Sequence, residues 1–217
     1  MRRVISIGQL KGGVGKTTLA VCVAGELKAR GYDVALIDAD PRCSASRWAD
    51  PGKLDFPVSQ LVLGEHSVLT WAREVRRTKA DYVVIDTAPN DRSLGYAGAI
   101  SDLVLVPCTP SGLDLDATVG TLKIVDAVRI RPDGVPRLIL IPNRVNRRTL
   151  EGQQLGDELT TFGEHVSAPI GDRTAFIRAF SSGLPISKWA GPAAYGEIRS
   201  LTDLVERFLN SAPVKVR

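Results

Sequence analysis

The densest chemistry in the chain lies in eleven residues near its start. A short β-branched run, Val4 to Ile7, leads into Gly8-Gln9-Leu10-Lys11-Gly12-Gly13-Val14-Gly15-Lys16-Thr17-Thr18, and a helical pattern follows at once. Glycines without a Cβ let successive backbone N–H groups turn inward around an anion, and the start of the following helix adds the positive end of its dipole. Gly12, Gly13, Val14, Gly15, Lys16, Thr17 and Thr18 are therefore the candidate phosphate cradle. Lys16 is spaced to reach the β- and γ-phosphates of a nucleotide, and the Thr17 hydroxyl to ligate Mg2+.

Carboxylates complete such a site. The apolar run from Tyr82 ends on Asp86, before Thr87-Ala88-Pro89, which makes sense for a charge facing magnesium or a magnesium-bound water. A second run, Val34 to Ile37, ends in Asp38-Ala39-Asp40-Pro41. Two carboxylates spaced by two share one face if the strand continues, yet different jobs are expected of them. Asp38 has an alternative reading as a strand-end carboxylate that caps a turn. Thr87 to Arg92 reads as a switch loop sensing the terminal phosphate. Asn143-Arg144-Val145-Asn146 is spaced like a guanine-reading motif, but an amide at Asn146 cannot accept two hydrogen bonds from guanine. ATP is expected over GTP, with an adenine pocket near Asn143 and the 170–173 loop.

The elements that must hold these groups are legible as alternation. Val4–Ile7, Val34–Ile37, Tyr82–Ile85, Leu103–Val106 and Leu138–Ile141 are apolar at successive positions, the mark of strands covered on both faces. Between and after them, helices are expected over Lys16–Arg30, Ser67–Lys79, Leu113–Arg129, Thr149–Phe162, Asp172–Ser182 and Ala193–Leu209. In the first, Leu19, Val23 and Leu27 recur every fourth residue, predicting one sheet-facing stripe. The fold class is α/β, a mostly parallel twisted sheet flanked by helices on both faces, in one domain over residues 1–217.

Composition bounds the rest. The 217 residues are 44% hydrophobic, enough for a substantial core, and 28 Lys+Arg against 24 Asp+Glu leave a net charge of +4. That excess permits contact with a polyanion without demanding it. Cys22, Cys43 and Cys108 are widely spaced, suggesting reduced thiols rather than a disulfide framework or zinc site. No apolar stretch reaches the ~18–20 residues of a membrane span. The expected location is cytoplasmic.

The string Lys11-Gly-Gly-Val-Gly-Lys-Thr-Thr18, with Leu10 where the usual Walker pattern has Gly, resembles the deviant Walker A box of the ParA/MinD superfamily of P-loop NTPases. The resemblance runs from about Val4 to Leu209 and takes in Asp38-Ala-Asp-Pro41, Ile85-Asp-Thr-Ala-Pro89 and Val106-Pro-Cys-Thr-Pro-Ser-Gly-Leu-Asp114. It is closest to short ParA proteins of the ParF kind, in which the phosphate loop begins within a few residues of the start. It implies that Lys11 reaches across an ATP-dependent homodimer to the partner's nucleotide, making Lys11, Lys16 and Asp40 the catalytic set. The residue matching Asp40 positions the attacking water, and that matching Asp38 lies closer to the metal, beside Thr17 and Asp86. Arg42 stands where the family commonly has Gln.

The resemblance further implies a slow, partner-stimulated ATPase that binds DNA without sequence preference in its ATP state, associates with the nucleoid, and partitions a plasmid or chromosome with a small centromere-binding protein. Arg144, Arg147, Arg148, Arg173, Arg178 and Lys188 are the candidate DNA contacts; each also reads as a solvated surface charge. Two rivals share the chemistry. One positions a protein cargo, such as a carboxysome or chemotaxis cluster, through an adaptor. The other is a MinD-like membrane regulator, disfavoured because the tail Ser211 to Arg217 is short for an amphipathic helix, so no stable membrane association is expected.

Overall fold

The computed structural model describes residues 2–63, 67–129, 135–188 and 192–211. The tail Ser211 to Arg217 lies, beyond Ser211, outside them. The strands are β1 (Arg3–Ile7), β2 (Val34–Asp38), β3 (Val58–Gln60), β4 (Tyr82–Asp86), β5 (Leu103–Cys108), β6 (Arg137–Pro142) and β7 (His165–Val166). They form one seven-stranded sheet in the order β3-β2-β4-β1-β5-β6-β7. Every pairing is parallel. The five runs read as buried strands are the five central ones, and β2, β4 and β5 are buried at every residue.

The helices are α1 (Lys16–Ala29), α2 (Ser44–Ala49), α3 (Val68–Arg77), α4 (Asp91–Ile100), α5 (Gly112–Val128), α6 (Leu150–Thr160), α7 (Thr174–Ser182) and α8 (Pro192–Asn210). Period-two alternation divides them. Ile5, Ile7, Leu36, Val84, Leu105 and Ile139 pack in one cluster with α1, α2, α7 and α8. Their alternates pack on the other face: Val104, Val106, Leu138 and Leu140 with α5 and α6, and Val4, Ile37, Val83 and Ile85 with α3 and α4. The result is a three-layer α/β/α architecture, and none of its described helices is long and apolar enough to cross a membrane. Cys22, Cys43 and Cys108 are free thiols.

Three features depart from the sequence reading. Helix α1 carries no single stripe: residues 19 to 27 are all buried, because α8 and the Pro185 segment cover the side away from the sheet. Gly25 permits that approach, since a Cβ there would sit 2.7 Å from the Pro185 Cβ. The proposed switch loop is shorter than 87–92, because α4 begins at Asp91, capped by Asn90, whose side chain accepts from the Ser93 N–H at 2.8 Å. Finally, Asp38 and Asp40 do not continue a strand: β2 stops at Asp38 and the chain turns, with the Cys43 N–H donating to the Asp40 carbonyl at 2.8 Å.

Candidate functional site

Register brings the site together at the carboxyl edge of the sheet. Ile7 pairs with Asp86, and Asp86 with Asp38, so both carboxylates end their strands level with the point where β1 releases the glycine-rich loop. The chain also changes direction across the sheet here, with β4 on one side of β1 and β5 on the other. Such switch points open a crevice above the strand ends.

Within the loop, Gly13 and Gly15 have φ of 81° and 94°, in the left-handed region that favours glycine. Gly15 precedes α1 without a side-chain cap, which leaves the first N–H groups of the helix for an anion. Asn143, at the end of β6, donates from Nδ2 to the Val14 carbonyl at 2.7 Å and braces the loop from outside. A Cβ at Gly15 would lie 2.4 Å from that same nitrogen. Gly15→Ala is therefore expected to destabilise the protein by about 1–3 kcal/mol through backbone strain and to weaken nucleotide binding. Denaturant titration checks the first effect. Part of the loss should be recovered in the double variant with Asn143→Ala, because the clash then disappears.

Lys16 is nearly buried, and its Nζ donates to the Lys11 carbonyl at 2.9 Å. Burial lowers its pKa, opposed by the Asp86 and Asp40 carboxylates, while the Arg42 guanidinium lowers it further. Thr17 Oγ1 donates to Asp86 Oδ2 at 2.6 Å. The other Asp86 oxygen is buried without a partner among the described residues. Burial pushes the Asp86 carboxyl up to about 7; the Thr17 hydroxyl and Lys16 oppose the rise, and Asp38 and Asp40 add to it. An orphaned carboxylate oxygen beside a threonine hydroxyl fits Mg2+, which takes one or two protein oxygens and completes its shell with water and phosphate.

Asp38 and Asp40 separate in role. Asp38 is fully buried, and its oxygens accept from the Ser46 N–H at 2.8 Å, the Ser46 hydroxyl at 2.9 Å and the Asp40 N–H at 3.3 Å. Asp40 lines the cleft, with Oδ1 accepting from the Arg42 N–H at 2.9 Å. Asp38 thus ties α2 to the strand end, the turn-capping alternative, with little lone-pair capacity left over.

Lys11 is held within its own chain by an ion pair with Asp114, whose side chain is only 3% exposed. The second Asp114 oxygen accepts from the Thr109 hydroxyl. Behind them Gln9, fully buried, donates to Thr118 Oγ1 at 3.0 Å and accepts from Thr121 Oγ1 at 2.5 Å. The first turns of α5 thereby seat the whole entry to the loop. Asp114 and Gln9 carried no assigned role in the sequence reading; an acidic residue opening the first turn of a helix was the one available signal.

The cleft above these groups has a volume of about 470 Å³. Gly12, Gly13, Gly15, Lys16, Thr17, Asp40 and Asn143 line one end, and Trp48, Ile170, Phe176, Ile177 and Phe180 form an apolar wall at the other. That division suits a ligand with a charged tail and a flat apolar head. The wall was missed apart from Ile170, although Phe176 and Phe180 lie four apart on α7, a spacing that shares one helix face.

The six basic candidates do not form one set. Arg173 is bound by Glu197 through Nε at 2.9 Å and an Nη at 2.6 Å, and Lys188 by Asp55 at 3.1 Å. Arg144, with a positive φ of 53°, donates to the Gly13 carbonyl at 3.3 Å and lies 3.5 Å from Asp172. Exposed Arg147, Arg148 and Arg178 have no carboxylate partner among the described residues.

Comparison with known proteins agrees with this geometry. Residues 5–186 match the family model described as the CobQ/CobB/MinD/ParA nucleotide binding domain. The chain is 34% identical over 203 residues to a maintenance of carboxysome distribution protein A from Gloeobacter kilaueensis, covering 88% of this chain and 87% of that protein. It is 26% identical to a probable plasmid-partitioning protein ParA from Thermus thermophilus, covering 94% and 78%. Its fold superposes on the septum site-determining protein MinD from Pyrococcus horikoshii, complexed with Mg-ADP, at a TM-score of 0.77 and 18% identity over 97% and 98% of the two chains. Fold, loop and family match converge: the chain belongs to the CobQ/CobB/MinD/ParA nucleotide-binding family.

Proposed function

We propose that the protein is a ParA-type ATPase that closes into a dimer on ATP and Mg2+, binds DNA without sequence preference in that state, and uses the cycle to position a cargo through a small adaptor protein. The observation that carries this reading is Lys11. Its ammonium stands beside the loop and is only partly buried, at 35% side-chain exposure, so a second copy can reach it. Its backbone carbonyl meanwhile occupies Lys16. A triphosphate engaging Lys16 displaces that contact, and the partner's phosphates then compete with Asp114 for the Lys11 ammonium.

In the hydrolytic step a water oxygen bonds to the γ-phosphorus as the bond from that phosphorus to the β–γ bridging oxygen breaks. The electron pair leaves with ADP; one proton of the water stays on the new phosphate oxygen and the other passes to solvent. Asp40 is suited to orient the water, because only one of its oxygens is committed to the Arg42 N–H. Lys16 and the N–H groups at the start of α1 hold the β- and γ-oxygens and stabilise their growing charge. Mg2+ would be held by Thr17 and Asp86, with Asp38 behind them, and would supply charge neutralisation for the bound triphosphate.

For the cargo, the 34% identity to a carboxysome distribution protein supports a protein assembly, while the resemblance to a plasmid-partitioning ParA supports a replicon with its centromere-binding partner. Both use the same switch, in the cytoplasm and on the nucleoid. Light scattering with ATP-Mg, under conditions that slow turnover, is expected to show a doubled mass absent with ADP and absent in Lys11→Ala. Only the dimer should retard DNA, with affinity falling steeply as salt rises and indifferent to sequence. A nucleotide-loaded parent that stays monomeric overturns this reading.

A further inference from the structure

One cation at the phosphate end of the cleft has no acceptor of its own among the described residues. Arg42 follows the Asp40-Pro41 turn, and the turn is closed twice over by Asp40: its carboxylate accepts the Arg42 N–H at 2.9 Å and its carbonyl the Cys43 N–H at 2.8 Å. Cys43 adopts a left-handed φ of 52°, so the chain reverses there and Arg42 faces the loop. The guanidinium lies against that loop: an Nη atom is 4.0 Å from where a Cβ on Gly12 would stand. It lines the cleft together with Gly12, Gly13, Lys16 and Asp40.

The neighbouring cations are all engaged. Lys11 pairs with Asp114, Lys16 donates to a carbonyl, Arg144 faces Asp172, and Arg173 is held by Glu197. For the Arg42 side chain the described residues supply no carboxylate and no hydrogen-bond acceptor. Two positive charges, on Lys16 and Arg42, thus face the same space and oppose each other across it. An anion placed between them relieves that repulsion and satisfies both.

We infer that Arg42 is a nucleotide-discriminating residue that binds the terminal phosphate of ATP in its own protomer and makes the site prefer the triphosphate over the diphosphate. The inference rests on the nucleotide-binding reading above and deepens it. Arg42 emerges from the same turn as Asp40 and lines the cleft beside Gly12 and Lys16, within reach of the outermost phosphate if Lys16 spans the β- and γ-groups. Guanidinium is suited to the task because its fork matches two phosphate oxygens and it stays charged at any working pH. ADP places no phosphate at that point, so its affinity does not depend on the residue.

The test is titration calorimetry of the full chain with a non-hydrolysable ATP analogue and with ADP, each with Mg2+, on the parent, Arg42→Gln and Arg42→Lys. Arg42 is exposed, so both variants are expected to fold, and equal nucleotide-free Tm values check this. Arg42→Gln is expected to weaken the analogue by about tenfold, the size of one charge-assisted hydrogen bond, and to leave ADP unchanged. Arg42→Lys should fall between, keeping the charge but not the fork. Equal weakening of both nucleotides, or no change in either while the parent discriminates, overturns the assignment and leaves the ATPase reading standing. A parent that binds neither nucleotide overturns both.

Discussion

Lys16→Ala is expected to remove nucleotide binding altogether at ordinary working concentrations, a loss of about two to three orders of magnitude, because a buried cation that meets two phosphate groups is worth roughly 3–5 kcal/mol when its partner is left uncompensated. The side chain sits inside the cleft at 7% exposure, in the field of Asp86 and Asp40. Nothing else in the loop can replace it: Lys11 is turned aside to Asp114. Thermal denaturation gives a direct readout. At about 100 times Kd a ligand stabilises by about 2.7 kcal/mol, so ATP-Mg is expected to raise the parent's Tm by roughly 5–10 °C for a chain of this size. In Lys16→Ala that rise should vanish. A variant that keeps the ligand-induced shift would mean that the phosphates lie elsewhere in the cleft.

What the sequence made legible follows from how local each signal is. The glycine-rich loop, the strand before it and the helix after it form one contiguous stretch, so order and spacing alone identify them. Asp86 was readable because a run buried at five successive positions ends on a charge, which demands a partner. Elements α2 and α4 were not readable, for different reasons. Helix α2 has only six residues. Helix α4 carries Gly95 and Gly98 on the side that meets α5, where a Cβ on Gly98 would lie 3.3 Å from Val128. Close helix packing there depends on residues that local propensity scores as breakers.

Pairings across the chain were the other blind spot. Lys11 and Asp114, Asn143 and Val14, Gln9 and Thr118 are each separated by more than a hundred residues and meet only because β1, β5 and β6 lie side by side. The same limit explains the basic surface. From sequence, Arg173 and Lys188 were indistinguishable from Arg147 and Arg178. Folding brings Glu197 to the first and Asp55 to the second, and a cation already paired has less to offer a phosphate backbone. If DNA is bound, Arg147, Arg148 and Arg178 are the residues whose loss should reduce the salt slope.

Asp86→Asn is expected to make the nucleotide-free protein more stable at pH 8 and no more stable near pH 4, while abolishing Mg2+-dependent nucleotide binding. The folded carboxyl has its pKa raised to about 7 from 3.8, chiefly by burial. Between those values the native state therefore binds more protons than the unfolded chain, so stability falls as pH rises through the window and the full cost is present above about pH 7. Moving the carboxyl from 3.8 to about 7 corresponds to about 4 kcal/mol. The amide escapes that ionisation cost but buries an NH2 group with few acceptors, which returns about 1–3 kcal/mol. The net gain is then about 2 kcal/mol, or roughly 4–8 °C in Tm. Below pH 4 both forms are neutral and the advantage disappears. Denaturant titrations of parent and variant from pH 4 to 8 measure the difference in slope. Parallel curves would show that Asp86 is not held uncharged by its surroundings. Its unpartnered oxygen would then be satisfied by water, and the fold would hold no costly carboxylate for a cation to neutralise.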